Sequence, residues 1–165
     1  MTTDEPADRG TLLGIDLGER RIGLAIAERA GLSARALTTI NRARSLAPAE
    51  DAKVLARVVA EQRVVELVVG LPLEANGNEG PMATAAAAWA TAVGERLGLP
   101  VTMRDERLSS HLATSRIGPM PRGRSGGPPS PTQRDRYRER VDREAAAIIL
   151  QDELDARRGA GPVNG

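Results

Sequence analysis

An acid stands inside an apolar run near the start of this 165-residue chain. From Leu12 to Ala27 the sequence reads LLGIDLGERRIGLAIA, two short apolar runs around a charged turn holding Gly18, Glu19, Arg20 and Arg21. Apolar runs of this length, bounded by glycine and charge, are strand signals, so the stretch predicts a β-hairpin. Asp16 falls where the first strand should be buried, and an unpaired buried carboxylate is costly. One reading makes it a strand-end residue that caps the turn through its own backbone. The other makes it a carboxylate held at a sheet end for a metal or a phosphate-bearing partner. Gly14 and Gly18, on either side, would let a second backbone or a ligand come close.

Beyond the hairpin the pattern becomes an alternation of strands and helices. Ala34 to Ile40 predicts a third strand, rich in β-branched residues. A turn or helix start at Ser45–Glu50 leads into an amphipathic helix through about Gln62, marked by Val54, Leu55, Val58 and Val59. Val64 to Gly70 is apolar enough for a central strand covered on both faces, and Pro72 ends it. Pro81 suits the first turn of an Ala-rich helix over Met82–Leu97, which Gly98 stops. A short strand at Leu99–Met103 and a short helix at Ser109–Ile117, capped by Ser109 or Ser110, follow. Gly118–Pro131, with four Gly, five Pro and two Arg, reads as a mobile basic loop. The last helix should run from about Thr132, as its cap, to Arg158. The order β-β-β-α-β-α-β-α-α predicts an α/β fold, a mixed sheet with helices on its faces. Residues 12–158 form one domain in this reading, with flexible ends at 1–11 and 159–165.

Composition removes several classes of chemistry. With no Cys, disulfides, thiolate metal sites and cysteine nucleophiles are excluded, and one His (His111) leaves no His-rich zinc site. The core must be aliphatic, because there is no Phe and the aromatics are Trp89, read as helix core, and Tyr137. A polar N-terminus unlike a signal peptide, and no apolar run near the roughly 20 residues of a membrane span, lead to an expectation of a cytoplasmic protein. The net charge of +1 conceals an uneven distribution: Arg104–Arg143 holds ten Arg against five acids. Arg forks bind phosphate bidentately, so a phosphate-rich partner is expected. Arg20 and Arg21 in the hairpin turn, Arg122 and Arg124 in the loop, and Arg140 near Tyr137 are the candidate nucleic-acid contacts. Tyr137 itself is either a base-stacking residue or an exposed helix tyrosine.

Three places put carboxylates where packing would not want them: Asp16, the pair Asp105–Glu106 after the last strand, and Asp142. The last shares a helix face with Ala145, Ala146 and Ile149, although an Asp early in a helix also complements the dipole. Two carboxylates about 4 Å apart repel by roughly 4 kcal/mol at a surface-like dielectric. A cluster of them persists if protonated or if a cation neutralises it. Without His or Cys partners for these acids, Mg²⁺ or Mn²⁺ is the natural cofactor, and such ions serve in-line phosphodiester hydrolysis. His111, near these acids in sequence, is a weaker candidate for protonating a leaving group.

Four motifs in order carry a resemblance: Asp16-Leu-Gly-Glu-Arg-Arg-Ile-Gly-Leu-Ala; Gly70-Leu-Pro-Leu with Asn76-Gly-Asn-Glu-Gly-Pro; Asp105-Glu-Arg-Leu-Ser-Ser; and Val141-Asp-Arg-Glu-Ala-Ala-Ala-Ile-Ile-Leu-Gln. Together they resemble the YqgF family, ribonuclease H-like bacterial proteins described as Holliday-junction resolvases and as nucleases of the pre-16S rRNA 5′ end. The resemblance spans roughly Leu12–Leu154. It implies a five-stranded sheet of order 3-2-1-4-5 with helices on both faces. Asp16, Asp105, Glu106 and Asp142 would be catalytic acids, with Asp16, Glu106 and Asp142 as metal ligands, although motif matching does not choose between Asp105 and Glu106. Arg107 completes the Asp-Glu-Arg motif as a phosphate contact. The implied partners are structured RNA, branched DNA and ribosomal precursor particles, for a monomer or homodimer. The segment Gly118–Pro131 departs from the family in being richer in Pro and Gly. Two other readings compete. An ATP-dependent phosphotransferase of the actin and sugar-kinase type shares the Asp-x-Gly loop, but needs two such domains. A non-catalytic RNA- or ribosome-binding module would keep the fold without the chemistry.

Overall fold

The computed structural model describes residues 9–42, 47–106 and 108–159. The elements are β1 (Thr11–Leu17), β2 (Arg21–Glu28), β3 (Arg35–Asn41), α1 (Pro48–Gln62), β4 (Val64–Leu71), α2 (Pro81–Leu97), β5 (Val101–Asp105), α3 (Ser109–Ile117) and α4 (Pro131–Gly159). The predicted β-β-β-α-β-α-β-α-α order holds throughout. The strands form one sheet in the order β3-β2-β1-β4-β5. β1, β2 and β3 are antiparallel neighbours, while β4 and β5 add in parallel through the crossovers that α1 and α2 provide.

Strand alternation sorts the apolar side chains onto two faces. Leu13, Ile15, Leu24, Leu67 and Val69 pack with Leu55 of α1 and Trp89 and Val93 of α2. Leu12, Ala25 and Val68 pack on the other side against Ala146, Ile149 and Leu150 of α4. Trp89 is buried, as expected, and its indole Nε1 donates to Asp51 Oδ2 at 2.8 Å. Asp51, at the start of α1, is buried as well and takes a forked contact from Arg42. Arg42 also donates to the Gly18 carbonyl, which ties the hairpin turn to α1.

Local chemistry moves some boundaries. β5 begins two residues later than the sequence suggests, because Gly98 ends α2 in the left-handed region (φ 67°) and the Leu99 N–H bonds back to the Gly94 carbonyl. Ser130 and Gln133, not Thr132, cap α4: Ser130 N–H donates to Gln133 Oε1 and Gln133 N–H to Ser130 Oγ. The segment Gly118–Pro131, read as a mobile loop, is tied to α4 by the Tyr137 hydroxyl on the Gly118 carbonyl, Gln133 on Arg122 and Arg134 on Pro129. Within it, Gly123 and Gly127 close a turn.

The far half of α4 is anchored by charge. Arg157 forks onto Glu66 of β4 and also holds Glu153, which reaches Arg104 of β5 at 3.6 Å. Thr102 donates to the same Glu66. No helix among the described residues is long and apolar enough to cross a membrane.

Candidate active site

The carboxyl ends of β1, β4 and β5 lie side by side under the middle of α4. Asp16 lies on the face of β1 that α4 covers, two residues beyond Gly14, where an added Cβ would come within 2.8 Å of the Ala146 carbonyl oxygen. Its register partner on β2 is Gly23. A Cβ at Gly23 would stand 2.0 Å from the backbone oxygen of Asp142, so the missing side chain is what lets α4 descend at this point. The backbone after β5 continues the pairing, with the Glu106 N–H donating to the Leu71 carbonyl. Glu106 then reaches back over Gly70, where a Cβ would lie 2.3 Å from its Oε2. Ser109 sets the turn beyond: its N–H and hydroxyl both donate to the Glu106 carbonyl. That hydroxyl therefore fixes the acid's backbone and does not cap α3.

Two carboxyl groups meet here. Burial pushes Asp16 up to about 6, and the nearby Asp142 charge adds to the rise, while its contact with Glu106 works the other way. Burial, the charge of Asp16 and their direct contact, with help from Asp105, push Glu106 up to about 9. At neutral pH the pair therefore holds one proton between its two carboxyl groups. Glu106 Oε2 is buried without a hydrogen-bond partner among the described residues. A buried carboxyl oxygen without a partner is rare in a folded protein and calls for a functional explanation.

The other predicted residues are placed differently. Asp142 is near enough for its charge to raise Asp16, but its Oδ2 accepts from Arg21 Nε at 2.7 Å. The sequence reading left this acid unpaired; the hairpin turn supplies its partner. Among the described residues no three acids converge as a ready metal-ligand set. Asp105 is exposed at the mouth of a cleft of about 660 Å³, with Glu106 in its lining. Of the candidate phosphate contacts, Arg20, Arg122, Arg124 and Arg140 are exposed, and Arg21 is held by Asp142. Arg107 lies outside the described residues. His111 is exposed on α3, and the Tyr137 hydroxyl is engaged by Gly118.

Sequence reasoning quoted Gly23, Gly70 and Ser109 within its motifs but gave them no part in shaping the site. Gly23 and Gly70 stand inside apolar strands, a position that weakens a strand unless something packs close, and that was the available signal. Nothing distinguished Ser109 from a cap.

Comparison with known proteins follows the same lines. The model of a family described as "RuvX: Holliday junction resolvase" matches residues 10–156. An Anaeromyxobacter sp. (strain K) protein named "Putative pre-16S rRNA nuclease" is 45% identical over 145 residues, covering 88% of this chain and 96% of its own. A Chloroflexus aggregans protein of the same name is 42% identical over 148 residues, covering 90% and 95%. Among solved structures, Thermus thermophilus RuvC in complex with a Holliday junction substrate superposes with a TM-score of 0.52. It is 17% identical and covers 92% of this chain and 98% of that one, a likeness of fold.

Proposed function

This chain belongs to the RuvX family, and we propose that it is a divalent-metal-dependent endonuclease that processes the 5′ end of pre-16S rRNA. The observation that carries the reading is the buried Asp16–Glu106 pair, with Glu106 Oε2 lacking a partner. The donors are all oxygen, which suits Mg²⁺ or Mn²⁺. Asp16 and Glu106 would hold the ion, with Asp142 as a third ligand once released from Arg21. A hard divalent cation in that place supplies Lewis-acid polarisation of a phosphodiester.

The chain's own groups supply the rest. Gly23 and Gly70 hold the acids close under α4, and the packed sheet keeps them from spreading apart as their charge grows. Arg20 after β1 and Arg140 in α4 are exposed and suit the phosphates of a bound strand. Arg122 and Arg124, exposed on a segment tied to α4, would add further phosphate contacts. Ribosomal RNA is preferred as substrate because the proteins that match at 42–45% identity carry that name.

Cleavage of branched DNA is the second reading, favoured by the family description and by the RuvC-like fold. Purified protein offered pre-16S fragments and four-way DNA junctions, with Mg²⁺, Mn²⁺ or EDTA, separates the two. Metal-dependent cutting of the RNA alone is the expected result. Cutting of junctions alone moves the substrate to DNA, and no cutting of either makes the chain a binding module.

A further inference from the structure

Arg21 opens β2 and commits only part of its guanidinium to α4: Nε donates to Asp142 Oδ2 at 2.7 Å. Its Nη1 and Nη2 make no hydrogen bond among the described residues, and the side chain is 21% exposed. A guanidinium engaged through Nε alone keeps donors for a phosphate. Its partner is the third acid expected at the metal site. The Asp142 backbone lies over Gly23, the register partner of Asp16, and its charge is close enough to raise the Asp16 value. Two kinds of anion therefore compete for one cation. A partly solvated ion pair is weak, so it yields to the phosphates of a strand, whose binding is reinforced by counterion release. Once Arg21 leaves, Asp142 is a bare carboxylate beside the Asp16–Glu106 pair, and a hard divalent cation is what neutralises such a set.

We propose that Arg21 changes partner when substrate binds, from Asp142 in the free protein to a strand phosphate in the complex, and so frees Asp142 to complete the metal site. The proposal rests on the nuclease reading of Asp16, Glu106 and Asp142 and adds its regulation: the ion is held more tightly when a phosphate backbone is in place. Coupling of this kind is reciprocal, so the ion also tightens the strand. The exchange accounts for the free protein's lack of three converging acids among the described residues. An ion pair that merely braced α4 against β2 would couple neither ligand to the other.

Crossed binding measurements test this without chemistry. Mn²⁺ is titrated by calorimetry in the absence of nucleic acid, and a labelled RNA strand is titrated in EDTA. Arg21→Gln should bind Mn²⁺ about fivefold more tightly than wild type, because Asp142 is released. It should bind RNA more weakly, with a salt dependence lower by about one phosphate contact. Arg21→Ala serves as a second release of Asp142, without an amide that could bond to it. Asp142→Asn should do the opposite, binding Mn²⁺ more weakly and RNA about threefold more tightly. That gain on RNA must exceed the gain from Asp135→Asn, which removes an exposed charge elsewhere on α4. It must also vanish in Arg21→Gln/Asp142→Asn, which has no arginine to release. If wild type binds Mn²⁺ and neither Arg21 variant binds it better, the exchange fails alone and the nuclease reading stands. An RNA gain by Asp142→Asn no larger than that of Asp135→Asn, or one that survives without Arg21, overturns the exchange too. If no variant binds Mn²⁺ while the Arg21-dependent gain on RNA is present, the metal reading fails and the change of partner stands.

Discussion

Arg21 Nε donates to Asp142 Oδ2 at 2.7 Å, which ties the acid of α4 to the first residue of β2. Both side chains are about three-quarters covered, with 21% and 24% exposure. Arg21→Gln should cost about 1 kcal/mol of stability, as a well-formed but partly solvated pair does. It should also release Asp142 and tighten Mn²⁺ binding. Melting curves and calorimetric titration of the same variant read both effects; weaker Mn²⁺ binding would show instead that Arg21 supports the acids.

Asp142→Asn tests the Arg21 pair directly. An unpaired acid facing the sheet should gain stability when neutralised, but an acid paired with Arg21 should lose about 1 kcal/mol. Metal-dependent cleavage should fall with it. A melt and a cleavage time course on this one protein decide whether the pairing or the isolated charge governs.

The strand-helix order, the Asp16 hairpin and the aliphatic core were legible because period and punctuation carry them. Leu12–Ala27 announced itself through two apolar runs and a buried acid. The Arg21–Asp142 pair was not legible, since its members are 121 residues apart and nothing local links them. The choice of Glu106 over Asp105 as the partner of Asp16 depended on where β5 ends. Pairing with β4 carries that end to Asp105, opposite Leu71. The fold of Gly118–Pro131 rests on Tyr137 and Gln133 of the next element, which composition cannot reveal.

Gly23→Ala and Gly70→Ala should separate packing from chemistry. At Gly23 the new Cβ meets rigid backbone at 2.0 Å, so α4 must lift, at a cost of about 1–3 kcal/mol or more. At Gly70 it meets Glu106 Oε2, the movable end of a side chain, and Ile149 Cδ1. Gly70→Ala should cost less in thermal melts but displace Glu106 and abolish stabilisation by Mn²⁺. Equal loss of stability in both would mean that Glu106 cannot yield.

Stability of the metal-free protein should fall with rising pH across the neutral range. Asp16 and Glu106 have folded-state values of about 6 and about 9, above their ordinary 3.8 and 4.5. Between those limits the native state holds more protons than the unfolded chain, so stability decreases as pH rises. Below the ordinary values both states are protonated and the penalty vanishes. Glu66 works in the opposite sense. Arg157 and Thr102 hold its value down despite burial, so its contribution is present above about 4.5 and lost as pH falls through the folded-state value. Denaturant titrations of wild type and Glu106→Gln from pH 5 to about 9 isolate the first effect. The difference between the two proteins should change steadily with pH, and a constant difference would dissociate Glu106 from the shared proton.

The most direct test is Mn²⁺ titration by calorimetry at neutral pH in two buffers of different ionisation heat. If Asp16 and Glu106 form the metal site, the ion must displace the proton that they share. Wild-type protein should then release about one proton per ion bound, and Glu106→Gln should bind weakly with no release. Tight binding with no proton released, or with the same release from Glu106→Gln, would contradict the assignment of this buried pair as the metal centre.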